Sequence, residues 1–128
     1  MGVRTGIDIV EIDRIKVIFE QSGDAFLHRV YTDQEIIYCE SKGRARLNSY
    51  AARFSAKEAV SKALGTGIAK GISFQDIEII NDENGKPSVF LYGEAQKRYA
   101  AIGGKCMDIS LTHSREYAAA YVVIEIGD

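Results

Sequence analysis

Three observations in the sequence predict an α+β fold in which a mainly antiparallel sheet packs on one long helix. Stretches of alternating apolar residues occur near both ends of the chain, a long segment rich in alanine and charged residues lies between them, and turn-forming residues separate these segments. The chain has 128 residues, of which 46% are hydrophobic and 27% charged, as in ordinary globular domains. We therefore expect a small single domain over residues 1–128.

The first predicted unit is a strand followed by a helix. Residues 3–10 alternate isoleucine with Asp8 and Val10, which predicts a short strand that carries an acid on one face. Apolar residues then recur at helical spacing over residues 11–21, and Gly23 predicts the end of that helix.

Two more helices are predicted before the middle of the chain. Thr32 and Glu35 have the spacing of a capping box, and Gly43 predicts the end of the helix that they begin. A longer helix is predicted over residues 44–64, because alanine and charged residues dominate there and Gly65 follows as a C-terminal stop.

The second half of the chain alternates strands and turns around one short helix. In chain order we predict a strand over 74–79, a turn over 81–87, a strand over 88–92, a helix over 93–102 and two strands over 107–112 and 117–126.

Charge and hydropathy exclude several classes of protein. The net charge is -2, with 16 Lys+Arg against 18 Asp+Glu, so we expect no nucleic-acid partner. The longest apolar run, 117–124, is too short to cross a bilayer, and the first ten residues do not resemble a secretory signal. Cys39 and Cys106 lack the spacing of a zinc or redox site. We expect a soluble cytoplasmic protein with reduced cysteines and no membrane partner.

Two carboxylates are candidate ligands of a magnesium ion, which usually takes one or two protein carboxylates besides water and phosphate. Asp8 lies within an apolar strand, where it is either functional or an acid at a strand end that faces water. Lys62 follows Glu58 by four residues and shares its helical face. This spacing fits either a metal and phosphate site or an ordinary surface ion pair. Spacing alone decides neither case.

The glycine-rich loop 65–71 and His113 are weaker candidates. The loop follows a helix rather than preceding one, so the helix dipole disfavours an anion there and a flexible turn is the alternative to a phosphate cradle. His113 stands at a strand end, but no set of nucleophile, base and orienting group is visible in the sequence.

Five segments, in this order and spacing, resemble one protein family. They are GIDIVEIDRI at 6–15, RFSAKEAVSKALGTGI at 53–68, FQDIEI at 74–79, NGKP at 84–87 and SLTHSREYAAAYVVIE at 110–125. The family is holo-[acyl-carrier-protein] synthase, the small type of 4'-phosphopantetheinyl transferase. The resemblance implies the 4'-phosphopantetheinyl transferase fold. It also implies that the protein transfers 4'-phosphopantetheine from coenzyme A to a serine of apo acyl carrier protein and releases adenosine 3',5'-bisphosphate. This activity would support fatty acid biosynthesis.

The resemblance also assigns roles to matching positions. It implies that Asp8 and Glu58 hold Mg²⁺ and that Lys62 neutralises the coenzyme A diphosphate, which makes these three the expected catalytic residues. The residues expected to contact coenzyme A are Arg53, Lys62, Gly65, Gly85, Pro87, His113 and Ser114. The base that accepts the serine proton stays unassigned between a metal-bound water and one of the two carboxylates.

The family pattern further implies a homotrimer whose active sites lie between subunits. The sequence gives no independent test, since apolar strand faces suit a monomer core equally well. Two alternatives of other classes remain: a coenzyme A or nucleotide binding module without transfer activity, and an interaction domain in which Asp8, Glu58 and Lys62 are only a structural ion-pair set.

The docking surface for the acidic carrier protein departs from the family pattern. Arg14 and Arg29 match two expected docking positions on the first helix and the segment after it. Residues 17–27 contain no Lys or Arg, and Glu20 and Asp24 are acidic, so we expect a thinner basic patch. Charge complementarity mainly sets encounter rate and partner choice, so weaker or differently centred carrier binding is expected.

Overall fold

The structure, a computed structural model, describes residues 1–127, which form four α-helices and five antiparallel strands. The elements are β1 (Gly2–Glu11), α1 (Ile12–Val30), α2 (Asp33–Glu40), α3 (Arg46–Leu64), β2 (Ile77–Asn81), β3 (Pro87–Leu91), α4 (Gly93–Ala101), β4 (Gly104–His113) and β5 (Tyr117–Ile126). Strand β5 pairs antiparallel with β1 on one side and β4 on the other, whereas β2 and β3 form a separate hairpin. The predicted α+β class is confirmed.

Helix α3 packs so closely on the three-stranded sheet that its backbone contacts the backbone of β1. Its buried face consists largely of small residues, so little side-chain volume separates the helix from the strands. The closest approach is at Gly6 of β1, where an added Cβ would lie 1.9 Å from the carbonyl oxygen of Ala59 and 2.8 Å from the amide nitrogen of Ala63. Because Asp8 is two residues beyond Gly6, it lies on the same strand face and is brought against α3.

The two faces of the sheet differ in what covers them. The face toward α3 is buried and includes Ala118, Ala120, Val122, Ile124 and Ile109. The opposite face leaves large apolar side chains in solvent, namely Val3, Ile7, Ile9, Tyr117 and Tyr121, of which Ile7 and Ile9 are 65% and 64% exposed. We call these five residues the open apolar face.

Helix α1 is longer than predicted and is kinked. Gly23 has φ 44° and ψ -121°, which interrupts the helix as the sequence indicated, but a second helical segment follows and continues to Val30. The prediction that the helix ends near Gly23 was therefore wrong for the part beyond the kink. The second segment is held by burial of Phe26 and Val30, a tertiary effect that local helical signals do not report.

Helix ends near α3 and the start of β2 also differ by a few residues from the prediction. The Thr32 and Glu35 capping box begins α2 as expected. Helix α2 ends at Glu40, and a single 3-10 turn, Gly43–Ala45, comes before α3. Another 3-10 turn, Phe74–Asp76, occupies the first half of the strand predicted over 74–79, so that strand begins only at Ile77.

A fully buried ion pair ties α2, α3 and β2 together. Lys57 Nζ lies 2.7 Å from Glu35 Oε1, and both side chains are completely buried. Nζ also donates to the carbonyl oxygens of Phe74 and Ile77, while Glu35 Oε2 accepts from the amide of Ile79. Burial lowers the pKa of Lys57, although the neighbouring Glu35 carboxylate raises it. The charges are thus compensated by each other and by the backbone.

Both cysteines are free, Cys39 buried and Cys106 exposed. Within residues 1–127 there is no helix with the length and apolar character that crossing a membrane requires.

Candidate active site

Asp8 on β1 is held by two residues of α3. Lys62 Nζ donates to Asp8 Oδ1 at 3.0 Å and to the Ile7 carbonyl oxygen at 3.1 Å. The Ser55 hydroxyl lies 2.9 Å from the Asp8 carbonyl oxygen and 3.1 Å from Oδ2, so it can donate to either. The Asp8 side chain is only 16% exposed. Strand and helix together therefore fix the direction of this carboxylate.

Glu58 lies one helical turn before Lys62 and is half-buried. Its pKa is raised, first by burial and then by the negative charge of Asp8, while Lys62 lowers it in part. The two carboxylates thus repel each other, and one ammonium group does not compensate both. A spacing of four residues predicted that Glu58 and Lys62 share a face, and Lys62 uses that position to reach Asp8, 54 residues away in the chain.

The donor set of this cluster fits a magnesium ion. Asp8 and Glu58 offer hard carboxylate oxygens, and a divalent cation between them would relieve their repulsion. Residues 1–127 contain no group of three or more His, Cys, Asp or Glu side chains able to hold a metal. Two carboxylates suffice for Mg²⁺, which leaves most of its positions to water and phosphate.

An open cavity of about 440 Å³ gives access to the carboxylate of Asp8 and the ammonium of Lys62. Its lining also includes Ile7, Ile9 and Ala119, so it borders the open apolar face. The Lys62 side chain is 49% exposed, which leaves its ammonium group free to turn toward an anion in the cavity.

Arg53 lies in a second polar cluster, between α2 and the β2–β3 hairpin. Its guanidinium carbon lies 4.1 Å from the centroid of the Tyr38 ring, and Nη2 donates to Asn81 Oδ1 at 2.6 Å. Only 2% of Arg53 is exposed. Nε is the one buried side-chain nitrogen or oxygen without a hydrogen-bond partner in the described part of the chain.

Two cavities meet at Arg53. One, of about 280 Å³, is also lined by Lys42, Asn48 and His113, and the other, of about 330 Å³, by Gln34 and other residues of α2 and β2. Arg53, Tyr38 and Asn81 line both cavities. The structure therefore brings together two of the predicted coenzyme A contacts, Arg53 and His113. Neither cavity shares a lining residue with the cavity at Asp8.

The hairpin turn is connected to this cluster through Asn81. The side-chain Nδ2 of Asn81 donates to the carbonyl oxygen of Gly85 at 3.0 Å, and Asn81 pairs with Pro87 next to the turn of the hairpin. Ser114 is exposed in the β4–β5 turn, where its hydroxyl oxygen accepts from the amide of Tyr117. Sequence reasoning missed Asn81 and Tyr38. Asn81 stands beside a run of turn formers, which hid its side-chain role.

Gly65 ends α3 in the left-handed conformation, with φ 86°. A Cβ at this position would lie 2.9 Å from an Arg4 guanidinium nitrogen and 3.3 Å from one of Arg98, and Arg98 Nε donates to the carbonyl oxygen of Leu64. Cations thus surround the negative end of the helix dipole. The position lies beyond Lys62 on α3, outside the linings of the cavities described above.

A sequence model of the 4'-phosphopantetheinyl transferase superfamily matches residues 4–122. The chain belongs to this superfamily. It is 51% identical over 128 residues to a holo-[acyl-carrier-protein] synthase of Ruminiclostridium cellulolyticum, covering all of this chain and 96% of the relative. A holo-[acyl-carrier-protein] synthase of Koribacter versatilis is 43% identical, with 98% and 99% covered. The family resemblance seen in the sequence is confirmed, and the chain is an enzyme of the phosphopantetheinyl transferase class.

Solved structures of the same family share the fold. The Helicobacter pylori holo-[acyl-carrier-protein] synthase in complex with coenzyme A superposes with a TM-score of 0.83 at 35% identity, over 94% of this chain and 99% of that chain. The Neisseria meningitidis enzyme gives 0.87 at 35% identity, over 95% and 97%. The Bacillus anthracis enzyme in complex with CoA (3',5'-ADP) gives 0.79 at 38% identity, over 97% and 96%.

In this member of the phosphopantetheinyl transferase superfamily, the two expected docking arginines lie on opposite sides of the α1 kink. Arg14 is exposed in the first helical segment, beside a shallow surface formed with Val17 and Ile18. Arg29 is exposed in the second segment, with its guanidinium carbon 5.9 Å from the centroid of the Phe26 ring.

Proposed function

We propose that the protein transfers the 4'-phosphopantetheine group of coenzyme A to a serine hydroxyl of apo acyl carrier protein, and so supports fatty acid biosynthesis in the cytoplasm. The serine oxygen forms a bond to phosphorus, the bond from phosphorus to adenosine 3',5'-bisphosphate breaks, and the serine proton passes to a base. The observation that carries the proposal is the convergence of Asp8, Glu58 and Lys62 from β1 and α3 in a family of transferases.

Magnesium is part of this proposal, with Asp8 and Glu58 as its protein ligands. When bound there, the ion would stabilise negative charge on the diphosphate as a Lewis acid. The support from this chain is the donor set of two carboxylates and the repulsion between them that raises the pKa of Glu58.

Lys62 would stabilise the leaving group. Its ammonium is half-exposed at the mouth of the Asp8 cavity and already lies 3.0 Å from a carboxylate oxygen, so an arriving phosphate oxygen is an alternative acceptor within reach of a small rotation. A flexible point charge suits a group whose negative charge grows as the phosphorus–oxygen bond breaks.

For proton removal, Glu58 is better matched than Asp8. Burial raises the pKa of the Glu58 carboxyl, so proton uptake there is easier than on an ordinary glutamate. Asp8 already accepts hydrogen bonds from Lys62 and Ser55.

The nucleotide end of coenzyme A would occupy the Arg53 cluster. Coenzyme A carries a 3'-phosphate besides its diphosphate, and the cavity with Arg53, Lys42 and His113 offers a second set of cationic or protonatable groups. Gly85 and Pro87 in the hairpin of a neighbouring subunit would contact the adenine, and Ser114 and Gly65 would contact coenzyme A from their turns. These four contacts rest on the family resemblance.

A homotrimer is the proposed assembly, with active sites between subunits. The open apolar face is large and unpaired in the isolated chain, and Ile7 and Ile9 belong both to it and to the lining of the Asp8 cavity. A second copy seated on this face would therefore wall the cavity. Arg14 and Arg29 would dock the carrier protein on α1.

The test is transfer itself. Purified protein, Mg²⁺ and coenzyme A are incubated with several apo acyl carrier proteins, and intact-mass spectrometry follows the carrier. We expect one phosphopantetheine increment on the carrier and equimolar adenosine 3',5'-bisphosphate, both abolished by a chelator. Tight binding of coenzyme A without any increment on any carrier would instead support the binding-module alternative.

A further inference from the structure

Two contacts together fix the orientation of the Arg53 guanidinium group. The guanidinium carbon lies over the Tyr38 ring, 4.1 Å from its centroid, and this contact restrains the group without fixing its rotation. The 2.6 Å hydrogen bond from Nη2 to Asn81 Oδ1 removes this rotation. The directions of all remaining N–H donors, including the buried Nε, follow from these two contacts.

Asn81 is itself fixed by the hairpin. A guanidinium has only donors, so the amide oxygen of Asn81 must face Arg53, and Nδ2 then donates to the carbonyl oxygen of Gly85. If the amide were flipped, Nδ2 would face the donors of Arg53 and Oδ1 would face the carbonyl oxygen of Gly85, and neither pair could form a hydrogen bond. The side chain therefore has one satisfactory orientation, set by the turn that follows it.

The burial of the Arg53 charge beside two cavities favours a ligand of opposite charge. A buried donor without a partner is unfavourable, and Arg53 is a charged side chain that is almost completely buried next to two cavities. An anion in the cavity that also contains Lys42 and His113 would neutralise the guanidinium charge.

We propose that Asn81 is a positioning residue that holds Arg53 toward the 3'-phosphate of coenzyme A and so sets the preference for coenzyme A over 3'-dephospho-coenzyme A. This inference rests on the proposed function and deepens it. Asn81 does not line the Asp8 cavity and its amide oxygen bonds Arg53, so the proposed effect on the reaction is exerted through Arg53.

The experiment compares Asn81→Leu with the unmodified protein on two substrates. We expect the KM for coenzyme A to rise about tenfold with kcat within about twofold, because a charged hydrogen bond loses its alignment while the reacting groups are untouched. Kinetic constants for 3'-dephospho-coenzyme A should not change. Ser88→Ala, an exposed substitution in the same hairpin, is the matched control and should behave like the unmodified protein on both substrates.

Equal increases in KM for the two substrates, a fall in kcat alone, or no change would each overturn the inference. A second measurement uses Arg53→Met and the double variant: if Asn81 acts through Arg53, adding Asn81→Leu to Arg53→Met changes the KM for coenzyme A no further, whereas additive effects contradict the inference.

Calorimetry separates failure of the positioning role from failure of the proposed function, because it measures the Kd of each substrate and needs no turnover. If no carrier is modified, binding of coenzyme A and of 3'-dephospho-coenzyme A to the unmodified protein and to Asn81→Leu still tests the positioning role. A selective loss of affinity for coenzyme A supports it, and an unselective loss or no loss refutes it.

Discussion

Asp8 and Glu58 come from different elements and interact electrostatically, but their environments differ. Asp8 has hydrogen-bond partners from Ser55 and Lys62, whereas Glu58 is half-buried and is repelled by Asp8. The negative charge on Glu58 is therefore unfavourable for the stability of the isolated fold. In the proposed function that charge binds the magnesium ion, which in turn stabilises the phosphates. Such a conflict between stability and function is expected at a catalytic site.

Glu58→Gln separates these two effects. Turnover should fall at least about 100-fold because a proposed metal ligand is lost, while stability in the absence of magnesium should stay equal or increase because the repulsion with Asp8 disappears. Mass-spectrometric transfer rates and urea unfolding measure the two quantities. Glu94→Gln, which removes a surface carboxylate paired with Lys97, is the control. Near-normal turnover of Glu58→Gln would show that Glu58 is not a residue of the active site.

At this scale the sequence predicted part of the site. Helical spacing placed Glu58 and Lys62 on one face, since that depends only on the period of the helix. It did not show that Lys62 pairs with Asp8, because that contact depends on how closely β1 approaches α3. The partners of Arg53 were also hidden, because Tyr38 and Asn81 come from two other elements.

Among the secondary-structure elements, α3 supports the site through its buried side as well as its exposed one. Lys57 is adjacent to Glu58 in the chain but points into the interior, where it joins Glu35 and the backbone of β2. One side of the helix is thereby anchored to α2 and the hairpin, and the other carries the candidate catalytic residues. The position of Glu58 thus depends on a charge pair that the chemistry does not use.

Lys57→Met should destabilise the fold by about 3–5 kcal/mol, because it leaves the Glu35 carboxylate buried without its counter-charge. Chemical unfolding at neutral pH measures the change. The double variant Glu35→Leu/Lys57→Met should lose less than the sum of the two single variants. Additive losses would mean that the two charges do not act as a pair.

The elements themselves were predicted to different degrees. Capping residues and glycine stops located α2 and α3 to within a few residues, because these signals are local. The second segment of α1 was missed, since it is stabilised by burial of Phe26 and Val30 rather than by its own sequence. Similarly, the capping box of Ser73 and Asp76 forms a 3-10 turn just before β2, where a strand was predicted.

For the whole molecule, the open apolar face is the main feature that the single chain leaves unexplained. Its residues come from β1 and β5, with Ile7 directly opposite Tyr121 in the strand register. Apolar patches of this kind on sheets mark association surfaces. The proposed trimer would therefore link assembly to activity, since the patch continues into the cavity of Asp8.

Tyr121→Lys should convert the trimer to monomers and abolish transfer, because a charge in the centre of an apolar interface is costly and Tyr121 itself does not line the Asp8 cavity. Light scattering coupled to size-exclusion chromatography reports the mass. Val17→Lys places the same charge on a comparably exposed apolar residue of α1 and should leave the mass unchanged. A monomeric unmodified protein, or a trimeric Tyr121→Lys, would refute the proposed assembly.

Gly6 has a consequence for how this site tolerates change. Its missing side chain sets the gap between β1 and α3, and hence the reach from Lys62 to Asp8. Even a single methyl group there would wedge the strand away from Ala59. Substitution of Gly6 would look like a stability defect in a mutational scan, yet its first effect would be to pull apart two groups that the proposed reaction needs together.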